Sequence, residues 1–204
     1  MISFLFYALA ACSLPVGTGA AGATGPRELT VIDTAGMRRE IMEVYRREPD
    51  ASFAVAFEDI STGQQLLLNP HTLFHAASTM KTPVLVEAYR QVASHRLSLN
   101  DSLSIHTDFR SIVDGSRYEL DSSTDSETDL YRRAGQKMSL RDLLFQMITQ
   151  SSNLSTNLVI EKVGAKNVMA TMRELGAMDI RVLRGVEDEK AFEKGMNNMT
   201  TAFD

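Results

Sequence analysis

The stretch that decides the fold reads Phe-His-Ala-Ala-Ser-Thr-Met-Lys at residues 74–81, and the apolar run Pro-Val-Leu-Val follows at 83–86. It predicts a helix from about Ser78 to Ser94. Because a helical turn holds about 3.6 residues, the Ser78 and Lys81 side chains fall on the same face. The apolar flanks predict that this helix start is buried rather than solvated.

Ser78 and Lys81 have the side chains of a nucleophile and its base. A serine hydroxyl has a pKa far above 7, so it needs a base within hydrogen-bonding distance. A lysine is a base only when neutral, which requires burial or nearby cations that lower its pKa. The helix N-terminus adds N–H groups and a partial positive charge for an oxyanion. Alone, the pair is a weak signal, because Ser also caps helices and Lys is usually solvated.

A second motif, Met-Ile-Thr-Gln-Ser-Ser-Asn, occupies residues 147–153 at a predicted junction between two helices. The hydroxyl of Ser151 is suited to relay a proton to a leaving nitrogen. The Asn153 amide is suited to donate to a substrate carbonyl. By itself, the motif fits a loop with helix-capping residues better than a catalytic site.

Taken together and in this order, the two motifs resemble those of the class A β-lactamases and penicillin-binding proteins, whose signature is Ser-x-x-Lys, Ser-Asp-Asn and Lys-Thr-Gly. The resemblance extends from about residue 30 to the end. It implies an α+β fold of the β-lactamase/transpeptidase type, an antiparallel sheet flanked by helices with an inserted all-α lobe. It also implies that Ser78 is the acylated nucleophile, Lys81 its base or relay, Ser151 the proton relay to the leaving nitrogen, and Asn153 a substrate-binding group.

The sequence departs from the family at the residues expected to release the acyl group. In class A enzymes the deacylating glutamate lies in a loop beyond an Arg, as Glu-x-x-x-Asn. Here Glu193 has that spacing to Asn197, whereas Glu187 lies closer to Arg184. Both glutamates are candidates, and an exposed loop of solvated carboxylates is an equal alternative. If neither carboxylate reaches the ester, acylation is expected to proceed while hydrolysis stalls.

Two other family features are changed. Ser152 stands where the family motif has Asp, which should weaken local hydrogen bonding more than it removes chemistry. No Lys-Thr-Gly or Lys-Ser-Gly follows Ser151; the resemblance places that motif on a later strand that supplies the second oxyanion N–H. We therefore expect residues 28–204 to be the N-terminal two-thirds of such a catalytic domain, without the last sheet strands, and a new helix to begin at Thr200.

The rest of the chain shows ordinary helix and strand patterns. Apolar spacing predicts a first helix over 31–47, and a strand, the turn Ser-Thr-Gly at 61–63 and a second strand predict a hairpin. Residues 107–137 are polar and predict a long surface connection with a short helix near 125–132. Further helices are predicted at residues 139–150, 153–163 and 166–175.

The N-terminus predicts export. Residues 2–11 are apolar but too few to span a bilayer, and Ala-Gly-Ala at 21–23 offers a cleavage site, so residues 1–23 are interpreted as a signal peptide. Leu-Ala-Ala-Cys, ending at Cys12, also resembles a lipobox, in which Cys12 would carry a lipid anchor. The alternative is that Cys12 is one small residue of the leader. The expected location is secreted or periplasmic, with or without a lipid anchor.

Composition excludes several classes of protein. The net charge of -5 and the absence of a Lys/Arg stripe argue against nucleic acid as a partner. Four histidines without paired ligand spacing and a single cysteine predict no metal or other cofactor. The expected partner is a small-molecule β-lactam or a peptidoglycan-like peptide, bound by a monomer.

The sequence therefore predicts a secreted serine hydrolase of β-lactamase type, which hydrolyses the β-lactam amide through an acyl-enzyme on Ser78. One alternative is a penicillin-binding D-Ala-D-Ala peptidase or another serine hydrolase on the same fold. A third is a binding or sensor domain that is acylated without turnover.

Overall fold

The computed structural model describes residues 31–204, and residues 33–204 form one compact unit. The predicted leader and Cys12 lie outside the described residues. In chain order the elements are α1 (Thr34–Arg47), β1 (Val55–Asp59), β2 (Gln64–Leu68), β3 (Phe74–His75), α2 (Lys81–Ala93), β4 (Ser102–Ser104), β5 (Asp108–Arg110), β6 (Arg117–Glu119), β7 (Lys137–Ser139), α3 (Leu140–Thr149), α4 (Asn153–Val163), α5 (Ala165–Glu174), α6 (Glu189–Glu193) and β8 (Met199–Thr200).

The first helix and the hairpin are confirmed. The Asp33 carboxylate caps α1 by accepting from the Gly36 N–H at 2.7 Å, and the helix ends at Arg47 as predicted. Strands β1 and β2 pair antiparallel, with Asp59 opposite Gln64. Gly63 closes the turn between them with a φ of +69°, a conformation that glycine adopts at little cost. All four strand ladders of the described chain are antiparallel pairs, which agrees with the expected α+β class.

The helical lobe is built around α4. Eight of its 11 residues are buried, and it packs against α2, α3 and α5. Gly164 follows the last residue of α4 with a φ of +83°, so the helix ends at Val163, the end of the predicted range. The lobe also holds the short ladders β4–β7 and β5–β6. Because α4 is packed on most sides, the position of its N-terminal residue, Asn153, is well fixed.

The segment that carries Ser78 differs from the prediction. Ser78 does not lie in the first turn of an α-helix, because Ala77–Met80 forms a 3-10 turn and α2 begins only at Lys81. Tight 3-10 turns are common at helix ends, and they keep residues three apart on the same side. Ser78 and Lys81 therefore still face each other.

The segment 107–137 is not the polar surface connection that its composition predicts. It holds the β5–β6 ladder, and 3-10 turns at Ser122–Thr124 and Tyr131–Arg133 replace the predicted helix. Three apolar side chains anchor it in the core: Phe109, Leu120 and Leu130 are each at most 4% exposed. These three residues are spaced too widely to give a helical or strand periodicity in the sequence.

The predicted helix at Thr200 is wrong. Met199–Thr200 forms β8, which pairs antiparallel with β3, and the Ala76 N–H donates to the Asn198 carbonyl at 2.9 Å. This pairing holds the strand that leads into the Ser78 turn. Within residues 31–204, no helix is long and apolar enough to cross a membrane.

Candidate active site

Ser78 sits on a short turn that is anchored on both sides. Ala77, just before it, has a φ of +45°, which is uncommon for a residue with a Cβ. Met80, just after it, is fully buried in the core. Strained backbone of this kind persists only where the surroundings hold it, and it clusters at functional sites.

Lys81 is the centre of the site. The residue is only 3% exposed. Its Nζ lies 3.2 Å from Ser78 Oγ and 3.0 Å from Ser151 Oγ. It also donates to the Ser151 carbonyl at 2.5 Å and to Asn153 Oδ1 at 3.1 Å. Burial lowers the pKa of Lys81 to about 8, although the carboxylates of Asp125 and Glu187 oppose the shift. A neutral amine is therefore available to accept a proton near neutral pH.

Ser151 completes a triangle of polar atoms. Its hydroxyl donates to Ser78 Oγ at 2.9 Å, so both hydroxyls and the Lys81 amine are mutual neighbours. Ser151 joins α3 to α4 with a φ of +55°, and the next residue, Ser152, caps α4 by accepting from the Ser155 N–H at 3.1 Å. Helix capping and the contact with Ser78 are thus divided between two adjacent serines: Ser152 caps α4, and Ser151 contacts Ser78.

The structure separates the two candidate glutamates. Asn153, which contacts Lys81 through Oδ1, donates through Nδ2 to Glu187 Oε1 at 2.8 Å. The other Glu187 oxygen accepts from the Thr124 hydroxyl at 3.1 Å, and Glu187 has a φ of +61°. Glu193 is exposed at the end of α6 and has no hydrogen bond to these site residues in the described chain. Of the two glutamates, Glu187 lies beside Asn153 and Glu193 does not.

The segment that carries Glu187 is held by a buried amide. The Asn157 side chain accepts from the Val186 N–H at 2.6 Å and donates to the Val186 carbonyl at 3.1 Å. This close approach requires glycine at 185, because a Cβ there would lie 2.3 Å from Asn157 Oδ1. Burial lowers the pKa of Arg184, whose guanidinium donates to the Met196 carbonyl at 3.1 Å.

The β5–β6 ladder fastens the same segment from the other side. Asp188 is 1% exposed and accepts from the Ile112 N–H at 3.0 Å, while its other oxygen caps α6 through the Ala191 N–H at 3.1 Å. Lys190 forms a surface ion pair with Asp114 at 3.0 Å. Between ladder and segment lies a cleft of about 650 Å³, to whose wall Glu187 belongs.

Sequence reasoning missed Asp125. This carboxylate accepts from the backbone N–H groups of Asn153 and Leu154, each at 2.9 Å. It also accepts from the Tyr131 hydroxyl at 3.0 Å. An acidic residue inside a polar segment, 28 residues before Asn153, carries no sequence signal for such a contact.

The arrangement suits acyl transfer. It combines a serine hydroxyl, a buried amine with lowered pKa, a second hydroxyl and a carboxylate within one hydrogen-bonded set. Among residues 31–204 there is no group of three or more His, Cys, Asp or Glu side chains that could hold a metal ion.

Comparison with known proteins assigns the family. The profile of the β-lactamase enzyme family matches residues 36–204. The chain belongs to this family. It is a member of the superfamily that contains the serine β-lactamases and the penicillin-binding proteins. No curated protein sequence matches the chain.

Solved structures of family members share the fold. A β-lactamase from Sphaerobacter thermophilus superposes with a TM-score of 0.63 at 23% identity, covering 85% of this chain and 59% of its own. PBP-A superposes with a TM-score of 0.65 at 23% identity, covering 82% of this chain and 57% of its own. A β-lactamase from Chitinophaga pinensis superposes with a TM-score of 0.64 at 19% identity, covering 82% of this chain and 58% of its own. The chain thus spans about three fifths of the length of these structures.

Proposed function

We propose that this protein is a serine hydrolase of β-lactamase type, which opens the β-lactam amide through an acyl-enzyme on Ser78. The observation that carries the proposal is the Lys81 amine, which is buried and within hydrogen-bonding distance of both the Ser78 and the Ser151 hydroxyls. One base that touches the nucleophile and the relay can serve both proton transfers of acylation.

Acylation begins when neutral Lys81 takes the proton of the Ser78 hydroxyl and Oγ forms a bond to the lactam carbonyl carbon. The resulting tetrahedral intermediate collapses as the carbon–nitrogen bond breaks. Ser151 donates its proton to the leaving nitrogen and regains one from the Lys81 ammonium, so the net transfer is from Ser78 to the lactam nitrogen. The hydrogen bond from Ser151 to Ser78 Oγ supports this relay.

Deacylation requires a base for water, and Glu187 is our candidate. It takes a proton from a water molecule whose oxygen attacks the ester carbonyl. The ester bond to Ser78 Oγ then breaks, and Glu187 passes the proton that it took from water to Ser78 Oγ. The contact of Glu187 with Asn153, itself bonded to Lys81, supports the assignment. Asn153 is proposed to bind the substrate amide.

The comparisons support a second candidate. A variant of PBP-A was solved as an acyl-enzyme complex with penicillin G. A D-Ala-D-Ala peptidase, or a domain that is acylated without turnover, uses the same Ser78, Lys81 and Ser151. These alternatives differ from the hydrolase in what happens after acylation.

Two measurements test the proposal. Intact-protein mass spectrometry after incubation with penicillin G is expected to show one adduct, which Ser78→Ala abolishes; an adduct that survives this change would refute Ser78 as the nucleophile. A chromogenic cephalosporin is expected to be hydrolysed over many turnovers. A single stoichiometric burst would instead favour the acylated sensor or peptidase.

We also propose export through the leader at residues 1–23. Cell fractionation is expected to find the mature protein outside the cytoplasm. Cys12→Ser separates the two kinds of leader, since it abolishes incorporation of labelled fatty acid into a lipoprotein and leaves an ordinary secreted protein unchanged. Retention of full-length protein in the cytoplasm would contradict export.

A further inference from the structure

A buried carboxylate, Asp125, lies beside the residue at which this chain departs from the family motif. The motif Ser-Asp-Asn reads Ser-Ser-Asn here, so Ser152 has a hydroxyl in place of a carboxylate. Asp125, from the segment that follows β6, lies with Oδ2 3.4 Å from the Ser152 hydroxyl. Asp125 thus places a carboxylate next to residue 152, although it belongs to another part of the chain.

The contacts of Asp125 are those of an anchor for the start of α4. One oxygen accepts from the Asn153 N–H and the other from the Leu154 N–H, each at 2.9 Å. Unpaired N–H groups at a helix N-terminus favour a negative charge. Asn153 contacts Lys81, and Ser151 is only two residues away, so an error in the position of this helix start moves both partners of the amine.

We propose that Asp125 is the positioning residue of this active site, supplying from a distant segment the carboxylate that fixes Ser151 and Asn153 against Lys81. The inference rests on the proposed acylation by Ser78. It assigns Asp125 two effects: it orders the start of α4, and its charge stabilises the protonated form of Lys81.

The carboxylates that face Lys81 come from two segments, one after β6 and one before α6. Asp125 and Glu187 are the carboxylates that act on Lys81, and they oppose the effect of its burial. The Tyr131 hydroxyl faces Asp125; burial, then the Asp125 carboxylate, raise the pKa of Tyr131 above its usual range, so this hydroxyl stays a donor. Removing the Asp125 charge therefore leaves Glu187 as the anion near the amine.

Asp125→Asn tests the charge with little change in volume. We expect acylation by penicillin G to become about tenfold slower, and the midpoint of its rise with pH to move to lower pH, because the Lys81 ammonium loses a stabilising anion. A purely structural role would slow acylation at every pH and leave the midpoint in place. A midpoint that is unchanged or higher would overturn the inference.

Asp129→Asn is the matched control. Asp129 lies in the same segment, but its carboxylate is exposed and, within residues 31–204, pairs only with Arg132 on the surface, at 3.0 Å. The same chemical change there is expected to leave both the acylation rate and its midpoint unaltered. An equal shift in this control would also count against Asp125, since the effect would then be one of net charge.

An exchange of the two residues gives a test that needs no activity. Asp125→Asn alone is expected to lower the Tm by roughly 3–10 °C, because two buried N–H groups lose their acceptor charge. Ser152→Asp alone brings two buried carboxylates together and should also lower the Tm. The double variant restores one carboxylate beside the helix start, and we expect it to recover more than half of the loss.

The outcomes of the two tests are separable. If the wild-type protein forms no adduct, the proposed function fails, while the exchange of Asp125 and Ser152 still tests the anchor through the Tm. If the wild type is acylated and losses in the double variant simply add, the acylation stands and the role of Asp125 is refuted.

Discussion

Two parts of the site are assembled in different ways. Ser78, Lys81, Ser151 and Asn153 lie at the starts of two packed helices, so local spacing and helix packing bring them together. Glu187 lies in an irregular segment that is held from outside, by Asn157 and by the β5–β6 ladder. The group around Lys81 thus depends on the packing of two helices, and the position of Glu187 depends on contacts with a buried amide and a strand ladder.

This difference implies that the two chemical steps can be damaged separately. A change at a helix start should affect acylation and everything after it. A change in the contacts of the Glu187 segment should affect release of the acyl group and spare its formation. Irregular segments that carry function also tend to open at lower free energy than the helices around them.

The largest expected effect is that of Lys81→Arg. Arginine keeps the positive charge but is not deprotonated in proteins, so it has no base for Ser78. We expect acylation to slow by about 10³-fold or more, as measured by the rate of adduct formation with penicillin G. A fall of less than tenfold would show that another group activates Ser78.

Glu187→Gln should separate the two steps. We expect steady-state turnover of a chromogenic cephalosporin to fall by about 10²-fold or more, since glutamine is no base, with acylation within about threefold of wild type. The acyl-enzyme should therefore accumulate. Glu193→Gln is the matched control and should change neither step; the reverse pattern would reassign the base to Glu193.

The pH dependence of acylation tests the state of Lys81. Because the pKa of Lys81 is about 8 and the neutral form is the base, the rate should rise roughly 50-fold between pH 6 and pH 8 and level off above that. Stopped-flow or quench mass spectrometry over this range measures it. A flat profile would mean that Lys81 is not the titrating base.

A smaller effect is expected from Asp188→Asn, which weakens the contact of the Glu187 segment with Ile112. The buried carboxylate accepts two N–H groups, so its loss should cost about 1–3 kcal/mol of unfolding free energy. Turnover should fall more than acylation. The exposed neighbour Glu189 supplies the control, Glu189→Gln; equal loss of both steps in Asp188→Asn would indicate general unfolding instead.

The smallest effect is expected from Lys190→Met, which removes the ion pair with Asp114. Both side chains are well exposed to solvent, which screens the pair, so it should contribute little to stability. Turnover and denaturant midpoint should stay close to wild type. A large loss of turnover would mean that this surface contact, rather than Asp188, positions Glu187.

Local patterns were sufficient for much of the fold. The α1 helix, the β1–β2 hairpin and the three helices α3 to α5 follow periodicity, caps and glycines, and the structure confirms them. The segment 107–137 was misjudged because Phe109, Leu120 and Leu130 are buried singly, each at a different place. Thr200 was misjudged because β8 exists only through its pairing with β3.

The order of the two motifs, and the family resemblance that it carries, predicted the roles of Ser78, Lys81, Ser151 and Asn153, and the folded chain brings these four side chains together. The amino-acid order left Glu187 and Glu193 unresolved and gave no sign of Asp125. Those assignments depend on which distant segments meet, and a carboxylate has no periodicity that reveals its partner. Folding brings Asp125 to the start of α4 and Glu187 to Asn153, and only these contacts turn a pair of motifs into a site.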